Sequence, residues 1–125
     1  MIRLNNTDKK LQAFLSGAAA TTNPTVSVGY YDVPNREKPD NSEYRGSAQY
    51  TVLSGTTETD VCAAPTVQGT VRNIDYINIY NADSAGVTVT VCIDDNGTNQ
   101  IQVSITLAST ESAVWTPTAS WHVVT

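Results

Sequence analysis

Histidine, phenylalanine and methionine occur once each in these 125 residues, and cysteine only twice. A single histidine, His122, leaves a Ser-His-Asp or Cys-His triad one base to use, and no Gly-x-Ser-x-Gly elbow is present. A base also needs an orienting partner and a nucleophile within reach, so His122 reads as a structural or solvated residue. Cys62 and Cys92 lack the close Cys-x-x-Cys pairing of structural zinc sites. A Cys62–Cys92 disulfide is one reading, but small disulfide-built scaffolds carry more cysteines than this, so two buried or half-buried free thiols are the favoured expectation. No enzyme activity, metal or cofactor is expected.

Charge is also scarce, at 15% of residues, and the balance is acidic, with a net charge of −5. Phosphate binding needs clustered Lys and Arg, whereas Arg36, Lys38 and Arg45 are interleaved with acids. Nucleic acid is therefore not an expected partner. No apolar run approaches the roughly 18 residues of a membrane span, so no membrane is expected either. The opening MIRLNNTDKK has no apolar core after its charges, and no secretory signal is expected.

What the chain has in quantity is threonine, its commonest residue, together with valine and isoleucine. These β-branched types favour strands. The stretch from Thr70 to Leu107 organises the rest. Val87, Val89, Val91 and Ile93 alternate with Thr88, Thr90 and Cys92, and Ile101, Val103, Ile105 and Leu107 alternate with polar residues. Strict period-2 alternation marks strands with one buried face. Asp95-Asn96-Gly97 supplies a tight hairpin turn between the two runs. The same turn accounts for the oxygen-rich Asp94–Asn99 run without calcium, which would need more alternating oxygens and a distal bidentate acid. The run at 81–86 is read as a similar turn, so 70–107 is expected to be an antiparallel meander. In its first strand Ile74 and Tyr76 fall on one face and Ile77 and Ile79 on the other. That pattern requires either cover on both faces or a bulge.

Before this stretch, Leu11, Phe14, Leu15 and Ala18 fall at i, i+3, i+4 and i+7 behind a capping Thr7 or Asp8. This predicts a short amphipathic helix of about three turns. Residues 24–32 read as an extended segment with Val26, Val28 and Tyr30 on one face. Residues 33–47 hold two prolines and most of the local charge, and read as a polar loop. A hairpin is expected from 48–54 and 58–64 around Gly55, and another from 112–116 and 120–124 around Pro117, with Trp115 and Trp121 near its turn. About eight short strands at even spacing predict an all-β fold, an antiparallel β-sandwich or jelly-roll-like body with a short N-terminal helical or extended arm. The expected division is an arm at 1–23 and a body at 24–125.

The arm is the first candidate for partner binding, through Leu4, Leu11, Phe14 and Leu15, extended by Val26, Val28, Tyr30 and Tyr31. Aromatic contact is the second, through Tyr44, Trp115 and Trp121, with Tyr50 nearby in sequence. Aromatic rings stack on sugars, and they are also enriched at protein–protein interfaces.

Three segments carry a resemblance. They are TDKKLQAFLSGAAATTNPTVSVGYYD near the start, CAAPTVQGTVRNIDYINIYNADSAGVTVTV in the centre, and ITLASTESAVWTPTASWHVV at the end. Together they resemble small virion structural proteins of tailed bacteriophages, over most of the chain except 33–47. The resemblance implies a β-sandwich head, homo-oligomers that are often trimers, and no enzyme activity. By size, capsid decoration or cement proteins fit best. The implied partners are the major capsid protein or other virion proteins, and the implied location is the virion, assembled in the bacterial host cytoplasm. Neck, tail and receptor- or carbohydrate-binding virion modules are the alternative.

Overall fold

The computed structural model describes residues 1–33 and 45–125. The described residues form ten strands, β1 (Arg3–Leu4), β2 (Lys9–Leu15), β3 (Thr25–Val33), β4 (Arg45–Val52), β5 (Thr59–Cys62), β6 (Val71–Tyr80), β7 (Val87–Asp95), β8 (Thr98–Leu107), β9 (Ser112–Thr116) and β10 (Ser120–Val124). They form two antiparallel sheets. The wide sheet runs β10-β9-β6-β3-β4, with β1 also paired to β6, and the narrow sheet runs β5-β2-β7-β8. This is a β-sandwich, as the alternation predicts.

The core is the sum of the two inner faces. Val26 and Val28 of β3 and Ile74, Ile77 and Ile79 of β6 meet Leu11, Ala13 and Leu15 of β2 and Val89 and Val91 of β7, all essentially fully buried. Burial of this kind is the main favourable term in folding, at about 25 cal/mol per Å² of apolar surface.

The N-terminal segment differs from expectation. There is no helix at 8–18. Lys9–Leu15 of that run form β2, an internal strand paired with β5 on one side and β7 on the other. Leu11 and Leu15 satisfy a helical stripe, but Leu11, Ala13 and Leu15 satisfy a period of two equally well. A helix of about ten residues is marginal in water. A strand flanked on both sides satisfies its backbone groups and buries three side chains. Residues 1–23 are thus part of the sandwich rather than an appended arm. Leu4, Leu11, Leu15, Val26 and Val28, candidates for docking a partner, are at most 1% exposed in this chain's own core.

The predicted meander is also revised. β7 and β8 form the expected hairpin, with Asn96 and Gly97 at φ 52° and 97°. β6 belongs to the opposite sheet, so residues 81–86 cross the sandwich. The mixed faces of β6 come from a bulge. Tyr76 pairs with Gly29 and Ile74 with Tyr30, which leaves Asp75 as the extra residue and returns Ile77 and Ile79 to the core. The expected hairpin around Gly55 separates in the same manner, with β4 in the wide sheet and β5 in the narrow one. Their edges are stitched by a side chain. The Gln49 amide donates to the Asp60 carbonyl at 3.2 Å and accepts from the Ala63 N–H at 3.1 Å. The 33–47 loop is shorter than expected at both ends, because Val33 closes β3 and Arg45 opens β4; residues 34–44 lie outside the described residues.

The crossings between sheets meet around two buried polar residues. Asn81, fully buried, donates through Nδ2 to the carbonyls of Ala85, Leu107 and Ala108 and accepts the Asp83 N–H on Oδ1. Its backbone exchanges bonds with Glu111 and Thr110. The Asp83 carboxylate accepts the N–H groups of Ala20, Thr21 and Thr22 at 2.7–3.1 Å, and the Thr21 hydroxyl at 2.9 Å. The β2–β3, β6–β7 and β8–β9 connections are therefore tied to one three-residue segment. Hydrogen bonds from the backbone N–H groups, that of Ala20 foremost, hold the Asp83 carboxyl below the usual carboxylate range.

Two outcomes follow. Leu11→Ala should cost about 3 kcal/mol of stability in urea unfolding, against about 1 kcal/mol for the half-buried Phe14→Ala; equal small losses would contradict the internal strand. Because the folded pKa of Asp83 is depressed, its stabilisation is present above the unfolded pKa near ~4 and is lost as pH falls through the lower folded value. The stability gap between the native chain and Asp83→Ala should accordingly be largest above about pH 5 and should narrow in acid.

Candidate binding surface

The outer face of the wide sheet is the most distinctive surface. Strand register arranges it in cross-strand rows. One row is Val52, Thr25, Tyr80, Ser112 and Val124; the next is Tyr50, Ser27, Asn78, Val114 and His122; a third contains Ala48, Gly29 and Tyr76. None of these residues is Asp, Glu, Lys or Arg. Tyr50, Val52, Tyr80 and Val124 are exposed, Tyr50 at 67%. The exposed Asp75 of the β6 bulge borders the face.

Glycine at position 29 makes this face flat. The Tyr76 ring lies across Gly29, and a Cβ there would sit 2.1 Å from Tyr76 Cε1. Any larger residue would displace the ring. Sheet glycines covered by a cross-strand aromatic are a recurring device for close approach.

The aromatic candidates distribute differently. Trp115 is 6% exposed on the inner face of β9, and Trp121 is half-buried beside it, with ring centroids 6.5 Å apart. Trp115 thus packs the core instead of meeting a ligand. Tyr30 is half-buried beneath the Arg72 guanidinium, 4.1 Å from the ring centroid. Arg72 is itself fully engaged, with a bidentate pair to Asp32 at 2.8 and 2.9 Å and a bond to the Ala63 carbonyl at 2.7 Å. Parity places Tyr31 on the outer face, half-exposed. Tyr44 lies outside the described residues. Tyr76 and Tyr80, absent from the expected contact set, are brought together with Tyr50 by the pairing of β4, β3 and β6. Their signal in the sequence was the Tyr-x-x-x-Tyr spacing, which becomes readable only once the bulge fixes the phase.

The opposite outer face, on the narrow sheet, is more polar. Lys10 pairs with Asp60 at 3.2 Å, and Gln12 Nε2 donates to Asp60 at 2.7 Å. Thr88–Thr106 and Thr90–Ser104 are joined by hydroxyl bonds. Phe14, half-buried, is the aromatic residue of β2 on this side.

Neither thiol has the features of a nucleophile. Cys62 belongs to the inner core and Cys92 faces the other side of the narrow sheet; both are free and fully buried. Burial pushes each thiol up to about 11. His122 is exposed, and its ring nitrogen contacts only the Ser120 carbonyl of its own strand, at 3.4 Å. Among the described residues, no three His, Cys, Asp or Glu side chains gather in a way that could hold a metal ion.

The surface and fold define a β-sandwich with an uncharged tyrosine face. In comparisons with known proteins the chain matches no family model, no curated protein and no solved structure.

The thiols give a direct check of the packing. Ellman's reagent should find essentially no reactive thiol in the native protein at pH 8 and both thiols in urea. Rapid native reaction of Cys92 would mean that the outer face of the narrow sheet opens.

Proposed function

We propose that this chain is a non-enzymatic structural protein of a bacteriophage virion, a decoration or cement protein that binds the outside of the capsid and bridges neighbouring capsid subunits. The observation that carries the reading is the uncharged patch formed by three cross-strand rows of the wide sheet, with Tyr50, Tyr76 and Tyr80 standing on small neighbours and Arg3 and Asp75 at its border. Interface cores are depleted in charge and enriched in aromatic residues, and this face has both properties. The resemblance of the three sequence segments to virion proteins supports the same assignment. The surrounding sandwich supports it physically, since tyrosines on paired strands lose little freedom on binding. Each protomer contributes a modest contact, and a homo-oligomer engaging several capsid subunits multiplies it through effective concentration.

A second reading is favoured by the same rings. Tyr50 and Tyr80 lie among Thr25, Ser27 and Asn78, neutral groups that can exchange hydrogen bonds with sugar hydroxyls. In that case the chain is a carbohydrate- or receptor-binding virion module.

Co-sedimentation with assembled capsids separates the two. The native protein should pellet with assembled shells and not with free capsid protein. Tyr50→Ala and Tyr80→Ala remove exposed side chains, so the fold should persist, and each should weaken binding by about 2 kcal/mol, roughly 30-fold. Unchanged occupancy in the double variant would overturn the assignment of this face. Saturable glycan-array binding that is lost in the same variants, without capsid binding, would establish the second reading.

A further inference from the structure

The two sheets have different widths, and the difference falls on one side. β4 and β5 are the stitched edges on one flank. On the other, the narrow sheet stops at β8, which a four-residue connection joins to β9, while the wide sheet continues one strand further to β10. Burial follows this step. On β9 the inner face is sealed, with Ala113 fully buried and Trp115 nearly so. Their partners on β10, Trp121 and Val123, share that face, yet Trp121 is only half-buried and Val123 is 43% exposed. Likewise Val103 and Ile105 of β8 are half-buried, whereas Val91 and Val89 beside them are fully buried.

The step leaves a vacant strand position beside β8, beneath the overhang of β10. Along that position β8 has a row of backbone N–H and C=O groups with no partner strand among the described residues. Soluble proteins guard such edges with charge, Lys, Pro or a bulge. Among the described residues the bulge at Gln102 is the guard on this edge, because Glu111 is the only Asp, Glu, Lys or Arg after Asp95 in the sequence.

We propose that the vacancy is filled by β10 of a second copy of this chain. The projecting strand and the vacancy beside β8 have the same width, and both belong to the same molecule. Two copies related by a two-fold axis running along the strands close both steps at once. Each β10 extends the other's narrow sheet, and the Trp121 and Val123 side chains of the two copies meet between the layers. The contact is self-complementary, as a two-fold interface requires. Charge selects the occupant. Each copy carries a net charge of −5, and nearly all its charged residues lie before residue 96, so two copies meet with least repulsion along this flank. This specifies a surface for the homo-oligomer in the proposed function, and it holds for free protein, so its failure would leave capsid binding untouched.

Light scattering on the full chain across about 1–500 μM tests it, a range that brackets micromolar association. The mass should rise to twice the 13.4 kDa of one chain. Val123→Lys replaces an exposed side chain, so the monomer should keep its circular dichroism, and self-association should weaken at least 100-fold. Tyr50→Ala, on the other face, should leave the mass unchanged. Hydrogen exchange provides the second readout. The β8 amides that point away from β7 should be protected in the concentrated native protein and exchange in Val123→Lys, while those bonded to β7 stay protected in both. A monomer at every concentration, a trimer, or a dimer indifferent to Val123→Lys with unprotected β8 amides would each overturn the proposal.

Discussion

Two sheets stacked face to face hold together only if the chain can pass between them without leaving buried polar backbone unsatisfied, and here Asn81 and Asp83 meet that constraint. Each crossing segment turns away from its ladder and exposes N–H and C=O groups at the end of the core. Asn81 places one amide against the carbonyls of Ala85 and Ala108 in two different connections and of Leu107 at the end of β8, and Asp83 gathers three successive N–H groups from a third connection. Buried groups left unpaired would each cost on the order of 1–3 kcal/mol. The hydrophobic inner faces provide the larger energy, but they are nondirectional. The side chains of this segment help fix how the sheets are joined and in what order.

That constraint also explains where the surface features arise. With β6 drawn into the wide sheet, its bulge turns Tyr76 and Tyr80 outward beside Tyr50 and leaves an uncharged face. With β7 and β8 sent to the narrow sheet, that sheet ends one strand short. The tyrosine face and the stepped flank are thus consequences of one distribution of strands, and they point in different directions.

Much of the strand content was legible from the residues. The β7–β8 hairpin follows from alternation on either side of Asp95-Asn96-Gly97, and β9–β10 from the runs around Pro117. Sheet membership was not legible, because alternation tells which face of a strand is buried and says nothing about which strand lies beside it. The 81–86 run has the composition of a hairpin turn, yet it crosses the sandwich, since Asn and Asp serve equally as turn formers and as ligands for distant backbone. β2 was misread because Leu11 and Leu15 fit periods of 3.6 and 2 alike, and only its two neighbours decide between them. Of the candidate contact residues, Leu4, Leu11, Leu15, Val26 and Val28 proved to be core while Phe14 sits half-buried on the outer face, as hydrophobicity alone cannot distinguish a docking stripe from an inner face. The exposed tyrosines became apparent only through the bulge opposite Gly29 and Tyr30.

The positions of the two thiols have a consequence for where such a protein can work. Cys62 and Cys92 lie on opposite faces of one sheet, so the sheet itself stands between them. Neither air nor a thiol reductant can change the covalent connectivity within the folded chain. The fold therefore owes nothing to a redox-sensitive cross-link, and the folded chain keeps the same covalent connectivity in reducing and in oxidising surroundings.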